Sequence, residues 1–188
     1  GTLCTGVPAG NRTNWTSAYV MAYSNDGSGW AQAGFDYDPV DGFQHFVQWR
    51  QNALTSPTTY FSSPISGNVA YAYKVRWNPA TLKYDFYWGS SRFAQSTPWN
   101  PFTSWPGPLR IQVSAEAEYR ESDMPGVSAS RMAVSSIQGQ TYTDAYTSVP
   151  CSDFFAVNDT YLPSAVGSPT YSLTSLYDSC QRFDVWTN

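Results

Sequence analysis

Two segments concentrate side chains able to move protons or polarise a carbonyl. One is Trp30-Ala31-Gln32-Ala33-Gly34-Phe35-Asp36-Tyr37; the other is Leu109-Arg110-Ile111-Gln112-Val113-Ser114-Ala115-Glu116-Ala117-Glu118-Tyr119. Both alternate with a period near two, so each sends successive side chains to opposite faces of a sheet. In the second, Ile111, Val113, Ala115 and Ala117 form one face, and Arg110, Gln112, Ser114, Glu116 and Glu118 form the other. Carboxylates two residues apart on one strand lie about 7 Å from each other, so each raises the other's pKa. A carboxyl that takes a proton from water and an amide that orients that water would together suffice for hydrolysis. The same residues would also suit an ordinary wet sheet face.

Other chemistries find little support. The chain holds a single histidine, His45, in a strand-like stretch with bulky neighbours, and has no Cys-x-x-Cys or His-x-x-x-His pair. A zinc site of ordinary ligand spacing and a Ser-His-Asp triad are therefore both disfavoured, and no metal or organic cofactor is assigned. Asp36, Asp38 and Asp41 could ligate calcium, but Asp38-Pro-Val-Asp-Gly42 is more simply a hairpin connection. Ten Lys and Arg spread through a chain of net charge −4 argue against a nucleic-acid surface. No apolar run approaches the length of a membrane span.

The elements that must position these groups read as all-β. Strands are expected at Trp15 to Tyr23, Trp30 to Tyr37, Phe43 to Arg50, Ala70 to Trp77, Lys83 to Trp88, Leu109 to Tyr119 and Ser130 to Ile137. They are separated by turn signals such as Asn25-Asp26-Gly27-Ser28-Gly29 and Asn78-Pro79-Ala80-Thr81. Short strands at this spacing, with 13 Gly and 13 Pro and no convincing amphipathic helix, suggest a sandwich or jelly roll of two antiparallel sheets. The 188 residues are read as one domain, with its core at about 15–147. Residues 94–108, with four prolines and two tryptophans, should form an ordered loop over the sheet. Residues 148–188 lose the alternation and read as an irregular tail packed on the sandwich.

Large residues fall on both faces of several strands, whereas only one face of each sheet packs inside a sandwich. The surplus is expected to line a groove for an extended peptide or glycan, with Trp30, Asp36, Trp49, Tyr73 and Trp88 as substrate-binding candidates. The composition is 17% aromatic and only 13% charged, which points to a secreted protein. Three cysteines allow three pairings. Cys151–Cys180, closing a loop of about 30 residues and stabilising it by roughly 3 kcal/mol, is preferred. Cys4–Cys180 is the alternative, and three free thiols the remaining case.

Gly29-Trp-Ala-Gln32-Ala-Gly-Phe-Asp-Tyr37, followed by Phe43-Gln-His-Phe-Val-Gln-Trp49, resembles a signature of glutamic peptidases of the eqolisin and neprosin type. Ser114-Ala-Glu116-Ala-Glu118-Tyr-Arg-Glu-Ser-Asp-Met124-Pro-Gly126 resembles the segment carrying their catalytic glutamate. The resemblance covers roughly residues 15–137 and implies a concanavalin-like sandwich. It implies catalytic roles for Gln32 and Glu116, with Glu118 as the other candidate glutamate, on adjacent strands and converging on one concave face. The activity implied is peptide hydrolysis at acid pH. Two other readings stand beside it. Glu116-Ala-Glu118-Tyr-Arg-Glu121 also resembles the Glu-x-Asp-x-x-Glu motif of laminarinase-type glycoside hydrolases, with Glu in place of the middle Asp. A non-catalytic carbohydrate-binding or cell-surface module would use the aromatic residues alone.

Overall fold

A computed structural model describes residues 2–4, 16–38, 40–117, 132–135, 138–140, 146–148, 171–173 and 183–187. Its strands in chain order are β1 Thr2–Cys4, β2 Thr16–Tyr23, β3 Trp30–Asp38, β4 Gly42–Arg50, β5 Thr58–Pro64, β6 Ala70–Asn78, β7 Lys83–Trp88 and β8 Ser91–Gln95. A single helical turn, α1 Pro101–Ser104, comes next. Then follow β9 Arg110–Ala117, β10 Met132–Ser135, β11 Gln138–Gln140, β12 Tyr146–Ser148, β13 Tyr171–Leu173 and β14 Phe183–Thr187. One sheet has five strands in the order β5-β4-β3-β2-β9. A second has seven in the order β13-β14-β10-β1-β6-β7-β8, and β11 and β12 pair separately. The paired strands are antiparallel, so this is an all-β sandwich.

Alternation decides which face each strand buries. Ala31, Ala33 and Phe35 of β3, Val47 and Trp49 of β4, and Ala18 of β2 meet Leu3, Tyr73, Tyr84, Phe86 and Val134 of the other sheet in one core. Fully burying a side chain of Val or Phe size stabilises by roughly 1.5–3 kcal/mol, so this layer supplies most of the cohesion. Small residues on β3 let the sheets approach, and aromatic rings from β4, β6 and β7 fill what remains. Trp49 and Phe86 stack at 5.8 Å between ring centroids.

His45 lies in this core, fully buried, with Nδ1 2.6 Å from the Tyr73 hydroxyl and the Trp88 ring 3.9 Å away. Desolvation lowers its pKa to about 4, so it packs as a neutral ring.

Segment 94–108 closes one end of the core, and it is more structured than a loop. Its first residues complete β8, which turns back from β7 through Gly89 at φ +58°. Asn100 then caps α1, its side-chain oxygen accepting from the Phe102 amide, and Pro101 begins the turn at the position where a missing N–H costs nothing. Trp99 and Trp105 flank α1 and sink into the core beside Tyr84.

The tail also departs from expectation. Rather than being irregular throughout, it contributes β13 and β14, and β14 pairs with β10 to extend the seven-stranded sheet. β5 was not legible because Thr58-Thr-Tyr-Phe-Ser-Ser-Pro64 is rich in hydroxyl residues and ends in a proline. It is an edge strand, and its ladder with β4 is broken by a bulge between Gln44 and Phe46.

Candidate functional site

The candidate residues fall on the five-stranded sheet, on the face turned away from the core. Directly opposed residues of an antiparallel pair share a face, so the ladders sort this face into rows. Arg50, Trp30, Tyr23 and Arg110 form the first. Thr59, Gln48, Gln32, Met21 and Gln112 form the second. Phe61, Phe46, Gly34, Tyr19 and Ser114 form the third. Gln44, Asp36, Ser17 and Glu116 form the fourth.

Position 116 therefore shares a face with positions 32 and 36, but Gln32 and Glu116 are not on adjacent strands. β2 lies between β3 and β9. The two positions are offset by two strand spacings, about 10 Å, and by four residues, about 13 Å along the strand. The expected convergence of Gln32 with Glu116 is replaced by a different neighbour relation: Glu116 is level with Asp36, with Ser17 between them. Glu118 and the segment Met124-Pro-Gly126 lie outside the described residues. So do Cys151, Cys180 and the glutamate at position 121.

Gln32 is held by a polar ladder. The indole Nε1 of Trp30 donates to Gln48 Oε1 at 3.0 Å, Gln32 Nε2 donates to the same oxygen at 3.1 Å, and Gln48 Nε2 donates to Thr59 Oγ1 at 2.9 Å. An indole nitrogen only donates, so it fixes which way the Gln48 amide points. That orientation in turn requires Gln32 to present its nitrogen to Gln48. The Arg50 guanidinium stacks over the Trp30 ring at 5.3 Å and completes the frame. Gln32 is 8% exposed, so its amide is a preorganised group.

Asp36 is in a different position. It is half-buried, and no described residue donates a hydrogen bond to it. Burial, reinforced by the nearby Asp38 charge, pushes its pKa up to about 7. Asp38 is itself engaged: its Oδ1 accepts from the amides of Val40 and Asp41, at 2.7 and 3.3 Å. These bonds brace the connection between β3 and β4, which closes on the pair Asp38 and Gly42, the glycine at φ +76°.

Between the two rows, Tyr19 and Phe46 are buried and their rings meet edge to face at 6.3 Å. Gly34 makes room between them. A β-carbon there would collide with the Ala18 carbonyl oxygen and come within 2.7 Å of Tyr19 Cα.

The remaining sequence candidates divide. Trp30 is on this face and half-buried. Trp49 and Tyr73 are 3% and 2% exposed in the core between the sheets, so they support the sandwich and do not line this face. Trp88 is 43% exposed but belongs to β7 of the other sheet. A cavity of about 210 Å³ lies at the end of β4, lined by Trp49, Arg50, Gln51 and Thr97 among others. Its arginine is committed to the carbonyls of Asn52, Ala53 and Thr55, which shape the following loop.

Sequence reasoning missed Gln48, Gln44 and Ser17 as members of the site. Their strand parity was readable, but their partners depend on which strands become neighbours. No protein-family model, no curated protein sequence and no solved structure matches this chain. Among the described residues no helix is long and apolar enough to cross a membrane.

Proposed function

We propose that this protein is an acid-acting hydrolase of extended peptides, built like the glutamic peptidases of the eqolisin and neprosin type on a concanavalin-like jelly roll. The observation that carries the reading is the row Gln44–Asp36–Ser17–Glu116. It sets two carboxylic acids level with each other, on the face that also bears the oriented Gln32. Asp36, with its pKa at about 7, holds a proton across the acid range. Glu116 is then the base that takes a proton from the attacking water, and Asp36 the acid that returns one to the leaving amine. Gln32, four residues along β3, contributes a fixed amide dipole to the bound chain. This revises the dyad implied by the family resemblance, with Asp36 taking a proton-transfer role beside Glu116.

Digestion of an unfolded protein substrate between pH 3 and 8 tests this. Glu116→Gln should abolish cleavage while leaving the melting temperature unchanged, since the amide keeps the shape but cannot take the proton. Full activity in that variant would rule the assignment out.

One observation favours a second reading, a non-catalytic carbohydrate-binding module. Gln32 is nearly buried and spends an N–H on Gln48, as a structural amide would. Wild-type protein that cleaves nothing at any pH would support that reading. The laminarinase-type alternative needs the glutamate at 121, outside the described residues.

A further inference from the structure

On the seven-stranded sheet, the outward face of β6, β7 and β8 has a chemistry of its own. Tyr73, Val75, Trp77, Tyr84 and Phe86 point into the core. The intervening residues of β6, β7 and β8 face outward in three rows. Asn78 lies beside Lys83, Arg76 beside Asp85 and Gln95, and Lys74 beside Tyr87 and Arg92. This one surface therefore carries both lysines of the chain and four of its ten basic residues, in a protein of net charge −4.

The only carboxylate among these rows is Asp85, which is 2% exposed and already wrapped. Gln95 Nε2 donates to its Oδ1 at 2.6 Å, Asn78 Nδ2 to its Oδ2 at 3.2 Å, and Arg92 Nη1 approaches Oδ1 at 3.4 Å. Asp85 therefore orients its neighbours from below and offers little negative charge to solvent. Arg92 remains about half exposed, and Lys83 is half-buried on the same face.

We infer that this face docks an acidic polysaccharide. Four cations are set within a footprint of about 13 Å along the strands and about 10 Å across them. That matches a short run of a flexible polyanion and is too small for a duplex track. Single-stranded nucleic acid would need an open aromatic face for base stacking. The aromatic ring here, Tyr87, is covered by the Lys74 ammonium at 4.0 Å from its centroid. No apolar side chain stands in these rows to enter a lipid surface. The amides of Asn78 and Gln95, interleaved with the cations, suit a polymer that presents hydroxyls beside each carboxylate or sulfate.

Affinity electrophoresis and calorimetry with polygalacturonate, at low and at physiological salt, would test this. Wild-type protein should bind, and binding should weaken as salt rises. The double variant Lys83→Glu/Arg92→Gln should lose at least about tenfold in affinity, because two counterion-releasing contacts are gone and one is reversed. Arg110→Glu, a cation on the other sheet, should bind within about twofold of wild type. Circular dichroism melts establish that the variants fold. If Arg92→Gln disturbs the Asp85 network, Lys83→Glu alone must still weaken binding measurably. The inference is overturned by no binding of wild type at low salt, by equal binding of the variants, or by stronger retention on single-stranded DNA or anionic phospholipid vesicles than on polygalacturonate.

Discussion

Asp36 and Asp85 occupy comparable positions, each within a strand and on the outward face of its sheet, yet the protein treats them in opposite ways. Asp85 is almost completely buried and is met by donors from Asn78, Gln95 and Arg92. Asp36 is less buried, receives no hydrogen bond from the described residues, and lies near a second acid, Asp38. A desolvated carboxylate with donors is a structural pin, whereas one without them keeps its proton. The contrast separates an acid that holds strands together from one poised to exchange a proton. It also explains how a chain with few charges supports two unlike surfaces, one with a carboxyl row and one with a basic cluster.

The largest effect should come from breaking the pin. Asp85→Ala leaves two amides and a guanidinium facing a buried gap and should cost about 2–4 kcal/mol, read as a lower denaturant midpoint at neutral pH. A loss below half a kcal/mol would mean that the donors find water as easily as they found Asp85.

Asp36→Asn should do the reverse, with a pH signature. The folded-state pKa of about 7 lies above the ordinary 3.8. Below pH 4 both folded and unfolded chains hold the proton, and the residue costs nothing. As pH rises from 4 to 7 the unfolded chain releases its proton while the folded one retains it, so stability falls. Asp36→Asn should therefore stabilise by roughly 2–3 kcal/mol at pH 8, with the gain vanishing at pH 4. Under the hydrolase reading the same variant should lose activity. A gain in stability that is constant with pH would show that Asp36 is not carrying an extra proton.

The smallest effect concerns the ladder that orients Gln32. Gln48→Ala removes the shared acceptor of Trp30 and Gln32 and should cost about 1–2 kcal/mol by thermal melting. Indole fluorescence should change as Trp30 loses its partner. An unchanged spectrum would show that Arg50 alone positions that ring.

Much of this is legible in the amino-acid sequence. Period-two alternation in Trp30–Tyr37 and Phe43–Arg50 located β3 and β4 and separated Ala31, Ala33 and Phe35 from Gln32 and Asp36. Gly42 after Asp38 marked the hairpin. Other elements were obscured by composition: the hydroxyl-rich β5, the short strand β8 just before a proline-rich segment, and the late strand Phe183–Thr187. Short edge and terminal strands carry weak patterns because their neighbours, more than their own side chains, make them strands.

The basic bias of β6, β7 and β8 is present in the primary structure as well, since between Gly42 and Ala115 Asp85 is the only acid. It became a surface only when β6, β7 and β8 were laid side by side. The sequence by itself determined which side chains share a face, because backbone stereochemistry alternates them whatever the fold. Tertiary structure alone decided that β2 comes between β3 and β9, so that Glu116 stands level with Asp36 and not with Gln32. Strand order and register are non-local choices, made by the packing of the whole core, and no short window of residues encodes them.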